Sequence, residues 1–299
     1  SLARHFAHLP PERLRAKLFD LFEMRLQEMD AAGVTKQVLS HQSPGSQRLP
    51  DDIAVEACQQ VNDTLAAIIA QEPTRFDGFA MLPTNLPDAA ADELTRAVEE
   101  KGLKGAMIHG MNHGTFVDDR RFWPIYARAE ALDVPIYLHP GEPDAEVTAR
   151  YYAPYDASHS MMTKAAWGFG VEAGTQAVRM ILSGVFQEHP GLKILLGHLG
   201  EAIPFWLWRI DESFSRPGNP PSDFANVFRR NFWITTSGFF SDRALQLCLD
   251  EMGPDRVLFA VDYPYAASRD GADWLRALDL APEVKTALAA GNARRLLRL

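Results

Sequence analysis

The chain is poor in cysteine, in clustered positive charge and in long apolar runs, and each shortage excludes something. Cys58 and Cys248 are the only two cysteines in 299 residues. They lack the close spacing of metal ligands, and each falls in an amphipathic pattern of helical period. Both are therefore expected as buried thiols of a reducing cytoplasm, not as a disulfide framework or a zinc knuckle. Basic residues are outnumbered 30 to 39 by acidic ones, giving a net charge of −9 with no Lys/Arg cluster to override it. Nucleic acid is not an expected partner of such a surface. No apolar run approaches the roughly 20 residues of a membrane span, so no membrane partner is expected. The start shows no secretory leader, and no fixed-period repeat of the solenoid kind is present. What is abundant is core-forming material: aliphatic and aromatic residues make up 46% of the chain, a globular value.

That material is arranged in alternation. Short apolar runs at 36–40, 76–82, 103–109, 134–139, 193–198, 232–237 and 256–262 read as strands. Longer stretches of helical period follow them. A helix is predicted over 12–32 and ended by Gly33, a second from Asp51 or Asp52 as cap to about residue 70, and a third over 87–101. Others follow at about 121–132, 175–188, 204–214 and 242–251, with more helix to the C-terminus. Residues 140–159 and 215–223 are predicted as loops, the first a candidate lid. Seven βα units without a composition break predict one domain over 1–299, with a parallel sheet inside and helices outside. The expected fold is a (β/α)8 TIM barrel whose first strand lies near or upstream of Ser1, since a barrel lacking one strand would expose two sheet edges. A doubly wound open sheet is the alternative.

Three of the apolar runs end in polar residues that make poor core. Ile136-Tyr137-Leu138 ends in His139-Pro140-Gly141, Ile194-Leu195-Leu196 in Gly197-His198 with Glu201 three residues on, and Leu258-Phe259-Ala260-Val261 in Asp262. Side chains delivered from several strands to one C-terminal face define the site of a parallel barrel. Each has a bland alternative. His139 could be a hydrogen-bonded core histidine, Glu201 a helix N-terminal carboxylate, and Asp262 half of a structural ion pair with Arg294 or Arg295. Arg209 could pair locally or bind a substrate carboxylate through its planar fork. His109, with Asn112 and His113 after it, either lines the pocket or belongs to a solvated loop. Trp167, Phe169, Trp206 and Trp208 either wall an aromatic pocket or pack as core. Two histidines and an aspartate on separate strands fit one divalent ion with open positions, Zn²⁺, Mn²⁺ or Mg²⁺.

The segments LHP at 138–140, GHLGEAIPFWLWRID at 197–211, ITTSG at 234–238, FAVDYP at 259–264 and NARRL at 292–296 together resemble the amidohydrolase superfamily. The likeness is strongest to its decarboxylase branch, which acts on γ-resorcylate, 2,3-dihydroxybenzoate, 5-carboxyvanillate and aminocarboxymuconate semialdehyde. MDAAG at 29–33 and MLPT at 81–84 agree, so the resemblance runs from about residue 12 to the end. It implies metal ligation by His139 and Asp262, with His198 beside them, and it matches Gly200-Glu201 and Arg209 to site positions. The family's first-strand His-x-His or Glu-x-His pair has no counterpart; Ala3-Arg4-His5 comes nearest, keeping His5 as a candidate ligand.

The activity implied is non-oxidative decarboxylation of a small hydroxyaromatic or related unsaturated carboxylic acid, the chain's expected small-molecule partner. The metal would hold the carboxylate and a neighbouring hydroxyl, and Asp262 would pass a proton to the ring carbon. Arg209 and His198 would hold the acid, with Glu201 setting the protonation of His198. Metal-dependent hydrolysis or hydration of a lactone or amide uses the same residues, and a non-catalytic barrel without a complete metal site is the third reading. A homodimer or homotetramer is expected from the resemblance.

Overall fold

The computed structural model describes residues 11–220 and 222–299. Seven short parallel strands carry the chain: β1 (Gln37–Leu39), β2 (Phe76–Gly78), β3 (Ala106–His109), β4 (Ile136–His139), β5 (Ile194–Leu196), β6 (Phe232–Thr235) and β7 (Val257–Leu258). Strands β1 and β2 pair, β3 to β7 pair in sequence order, and a parallel bridge from Ala80 to Ala106 joins the two groups. This is the strand succession of a (β/α)8 barrel. All seven predicted strands are present. The expected first strand, like His5, falls outside the described residues.

Period-two alternation sorts the strand residues into two cores. Ile108, Ile136, Leu138, Ile194, Leu196 and Ile234 face outward into the main core between strands and helices. Met107, Tyr137, Leu195 and Leu258 face inward and pack with Phe79, Leu296 and Leu297. The last two belong to the final helix, whose Asn292 amide donates to the carbonyls of Pro254 and Val257 at the start of β7. That helix thus covers the N-terminal ends of the strands and leaves the C-terminal ends for a site.

The helices are α1 (Pro11–Phe19), α2 (Met24–Ala32), α3 (Asp51–Gln71), α4 (Pro87–Glu99), α5 (Trp123–Ala131), α6 (Gly168–Ser183), α7 (Ile203–Phe214), α8 (Phe224–Asn231), α9 (Asp242–Met252) and α10 (Ser268–Ala277), with short C-terminal helices after them. Four expectations need correction. The helix predicted over 12–32 is two, because the Asp20 carboxylate accepts from the backbone N–H of Glu23 and of Met24 and restarts the turn there. Asp51 and Asp52 sit inside the first turn of α3, after Pro50 at the cap position, and form no side-chain cap. The loop at 140–159 contains short helical turns at Ala145–Val147, Thr148–Tyr152 and Ala153–Tyr155. Finally, α8 was absent from the sequence reading, although Phe224, Val227, Phe228 and Asn231 bury one face at helical spacing.

Candidate active site

The residues at the strand ends converge. His109 ends β3 and His139 ends β4, and the register sets them side by side. Their rings are 4.8 Å apart, and His139 and His198 rings are 6.2 Å apart. His41, two residues beyond β1, extends the row, its ring 4.8 Å from that of His109. Four imidazoles thus cross the mouth of the barrel. All four line one continuous cavity with Tyr137, Glu201, Ser237 and Asp262.

His198 and Glu201 are brought together by an unusual turn. His198, Leu199, Gly200, Glu201 and Ala202 all have positive φ, between 46° and 79°. A left-handed turn costs L-residues on the order of 1–2 kcal/mol each and persists only where the surroundings enforce it. The turn closes on a 2.7 Å bond from the Gly200 N–H to the Gly197 carbonyl. It sets His198 Nδ1 2.6 Å from Glu201 Oε1. Burial opposes a charged imidazole here, but the Glu201 carboxylate and the charge of Asp262 outweigh it and push His198 up to about 9. Glu201 caps no helix: α7 begins after Ala202 without a side-chain cap.

Asp262 is reached through an extended segment beyond β7. The Thr236 hydroxyl donates to the Ala260 carbonyl at 2.6 Å and its oxygen accepts the Ala260 N–H at 2.9 Å, so Thr236 holds this segment against β6. Burial raises the Asp262 carboxyl to about 7, with His198 opposing the rise and Glu201 adding to it. The structural ion pair with Arg294 or Arg295 is not formed; Arg295 binds Asp255. Burial also drives His41 down to about 4, and holds His109 well below the usual histidine range with help from His139 and His41.

Beneath the row lie three mutually bonded hydroxyls. The Tyr137 hydroxyl is 3.0 Å from Thr235 Oγ1 and 3.1 Å from Ser237 Oγ. Burial pushes Tyr137 up to about 12, which keeps it a neutral donor. The sequence reading missed this cluster and missed His41.

Other expected site residues fall elsewhere. Arg209 is exposed on α7 and does not line the cavity. Trp167, Phe169 and Trp206 do line it; Trp208 is 72% exposed and does not. His113 is exposed.

Among the described residues no three His, Cys, Asp or Glu side chains form a set able to hold a metal ion. The expected quartet of His139, His198, Asp262 and His5 is therefore not assembled from these residues alone, and His198 is engaged by Glu201. The remaining pair does suit a divalent ion. His139 Nδ1 lies 2.8 Å from the Pro140 carbonyl oxygen; as the donor it leaves the lone pair on Nε2, the tautomer a ligand needs. The Asp262 carboxylate accepts no hydrogen bond from a described side chain or N–H, although it is half-buried.

A parallel barrel with histidines and an aspartate at its C-terminal mouth is the arrangement of metal-dependent barrel hydrolases and lyases. The chain belongs to the amidohydrolase family, whose model matches residues 7–299. Within it the chain falls in the decarboxylase branch. It is 37% identical to the γ-resorcylate decarboxylase of Rhodococcus jostii, over 96% of this chain and 91% of that protein. A dihydroxybenzoic acid decarboxylase from Polaromonas sp. JS666, solved with manganese and the inhibitor 2-nitroresorcinol, superimposes with a TM-score of 0.92 at 34% identity, covering 100% of this chain and 93% of that one. A 5-carboxyvanillate decarboxylase from Novosphingobium aromaticivorans, solved with manganese, gives 0.92 at 31% identity, covering 99% and 86%.

Proposed function

We propose that this chain, acting as one domain, is a divalent-metal-dependent, non-oxidative decarboxylase of a small hydroxyaromatic acid. The observation that carries the reading is the convergence at the barrel mouth of His139, Asp262 and the His198–Glu201 pair around one cavity. A carboxyl set there can pass a proton to a bound ring, as a general acid must.

His139 and Asp262 are the described residues that would hold the ion, and manganese in two relatives indicates its kind. When bound, the ion supplies positive charge that fixes the substrate's oxygens. Asp262 gives its proton to the ring carbon that carries the carboxylate. The bond from that carbon to the carboxylate then breaks, its electron pair returns to the ring, and CO₂ leaves. His198, kept charged by Glu201, donates to a substrate oxygen and restrains the acid in the plane this protonation needs. Tyr137, Thr235 and Ser237 line the cavity beneath and hold one another through their hydroxyls. Arg209 takes no part in this assignment within one chain.

The test is CO₂ release from 2,6-dihydroxybenzoate by the manganese-loaded full chain. Release with matching formation of resorcinol is expected; a loaded wild-type chain that releases none from any hydroxybenzoate sinks the reading.

No helix among the described residues is long and apolar enough to cross a membrane, and both cysteines are free and buried. Free, buried thiols suit a reducing compartment such as the cytoplasm, which is the localisation we propose. Self-association into a dimer or tetramer is supported by α7, where Phe205, Trp206 and Trp208 are 70%, 52% and 72% exposed. Three large aromatics on one exposed helix mark a contact surface.

A further inference from the structure

Asp262 stands on a strained backbone. Its φ is +69°, the left-handed region that an L-residue occupies only where its surroundings enforce it. Part of that enforcement is local. The Asp262 carbonyl accepts from the N–H of Tyr265 at 2.8 Å and of Ala266 at 3.1 Å, which closes a turn. Gly238 packs against the same residue, and a Cβ placed there would meet Asp262 Cβ at 3.4 Å. Tyr263, the next residue along this turn, is held from another element.

That element is α2. The Asp20 carboxylate that starts the helix puts Arg25 in its first turn, where the helix dipole disfavours a cation. Arg25 is nevertheless buried, at 7% exposure. Its guanidinium carbon lies 4.4 Å from the centroid of the Tyr263 ring. Nη1 donates to Gln37 Oε1 on β1 at 3.0 Å. Among the described residues Arg25 forms no ion pair. Glu28 is taken by Lys17 at 2.6 Å, and Asp20 accepts from the N–H groups of Glu23 and Met24. A cation buried without a carboxylate is costly, so packing alone does not account for it. The face of the Tyr263 ring is what compensates the desolvated guanidinium.

The contact also spans a gap. Among the described residues β1 pairs with β2 and β7 with β6, and β1 and β7 do not pair with each other. Arg25 bonds β1 through Gln37 and grips the segment after β7 through Tyr263. Arg25, Gln37, Tyr263 and Asp262 all line the cavity of the site.

We infer that Arg25 is a positioning residue: by stacking on Tyr263 it holds the turn that aims the Asp262 carboxylate into the site. This rests on the reading of Asp262 as a metal ligand and deepens it.

Grip and charge predict opposite signs, which makes the role testable. Deleting a cation near a divalent ion tightens the ion if only charge matters. Loosening the turn that carries a ligand weakens the ion, by roughly 10- to 100-fold for residues that orient ligands.

The experiment measures Mn²⁺ binding to the full chain by calorimetry, with circular dichroism on each variant. Arg25→Met and Tyr263→Leu are each expected to weaken Mn²⁺ by roughly 10- to 100-fold. The double variant should lose no more than about twofold beyond the weaker single, because both changes remove one contact. Arg25→Lys keeps a cation over the ring without the planar stack, so an intermediate loss of roughly three- to tenfold is expected. It carries the test should Arg25→Met not fold. CO₂ release is not read here, so a chain that binds Mn²⁺ but releases no CO₂ fails the decarboxylase reading and not this one. Unchanged or tighter Mn²⁺ binding in a folded Arg25 variant, or additive losses in the double, overturns the inference. A wild-type chain that takes up no Mn²⁺ removes the premise and the inference with it.

Discussion

His198 Nδ1 stands 2.6 Å from Glu201 Oε1 across a left-handed turn that neither residue would adopt alone. The backbone strain and the short charge-assisted bond compensate one another: the turn exists to aim the carboxylate, and the carboxylate keeps the imidazole charged.

Glu201→Gln removes that charge while keeping a hydrogen-bonding partner. The imidazole then loses its main support as a cation, because burial already opposes the charged form. Turnover is expected to fall by roughly 10- to 100-fold, the usual cost of losing a residue that orients a functional histidine. Manganese content should stay near wild type, because Glu201 is not an assigned ligand. Steady-state kinetics with metal analysis on the same preparation checks both parts. An unchanged kcat would remove His198 as a charged donor.

Asp262→Asn keeps the shape of the side chain and deletes its proton. CO₂ release should drop below about one thousandth of wild type, within the range general-acid removal produces. In the metal-free chain the thermal midpoint should rise or hold, since a carboxyl that burial disfavours is replaced by a neutral amide. A variant that is folded and active would refute the proton-transfer role.

Glu172 offers a test of stability against pH that does not involve the site's ligands. It lies on α6, buried, with Oε1 accepting from the Gln176 amide at 2.7 Å and Oε2 unpartnered. Burial raises it from 4.5 to about 7. The folded chain therefore holds this proton more tightly than the unfolded chain. Its contribution is fullest below pH 4.5 and declines as pH rises to about 7, where it levels off. At 1.36 kcal/mol per unit the decline is roughly 3 kcal/mol. Glu172→Gln should remove this slope, so the variant gains on wild type as pH rises. Urea denaturation of both chains at several pH values reads the difference, and parallel curves would contradict the assignment.

Much of this was legible in the sequence, for identifiable reasons. A strand buried on both faces shows as an unbroken apolar run, so all seven described strands were visible. His139, His198 and Asp262 stood out because each follows such a run directly. The break at Asp20 was not visible, since α1 and α2 continue one apolar periodicity across it. The placement of His41 beside His109 was hidden because it depends on the loop at 41–47 folding back over β3, a contact far apart in sequence. The Tyr137 hydroxyl cluster was hidden for the same reason: its partners lie 98 and 100 residues away. Arg209 stands away from the cavity of this chain. Its neighbours suggested a pocket, but the phase of α7 turns it outward.

Gly105→Ala tests the register that aligns His109 with His139. Gly105 precedes β3 with φ +135°, and a Cβ there would lie 2.2 Å from the Pro135 carbonyl oxygen, which accepts the Ala106 N–H at 3.2 Å. Backbone cannot yield as a side-chain tip can. The substitution should cost on the order of 3–5 kcal/mol, the range of the severest single changes. Denaturant melts would show it, and a loss under about 1 kcal/mol would mean that β3 and β4 part more easily than their pairing implies.

Trp208→Glu addresses the exposed face of α7. Trp208 is 72% exposed beside Phe205 at 70%, and a Phe205–Trp206 edge contact of 5.8 Å holds the neighbouring rings as one patch. Aromatics at that exposure are costly to leave in water and effective as interface anchors. A carboxylate at the patch centre would have to be desolvated for the face to pair, and two copies related by a twofold axis would bring the two charges together. Light scattering coupled to size exclusion should therefore show an assembly for the wild-type chain and a monomer for Trp208→Glu. Since Trp208 does not line the cavity, the isolated variant should keep metal and bind 2-nitroresorcinol within about threefold of wild type. A wild-type chain that runs as a monomer, or a variant that still assembles, would free α7 from this role.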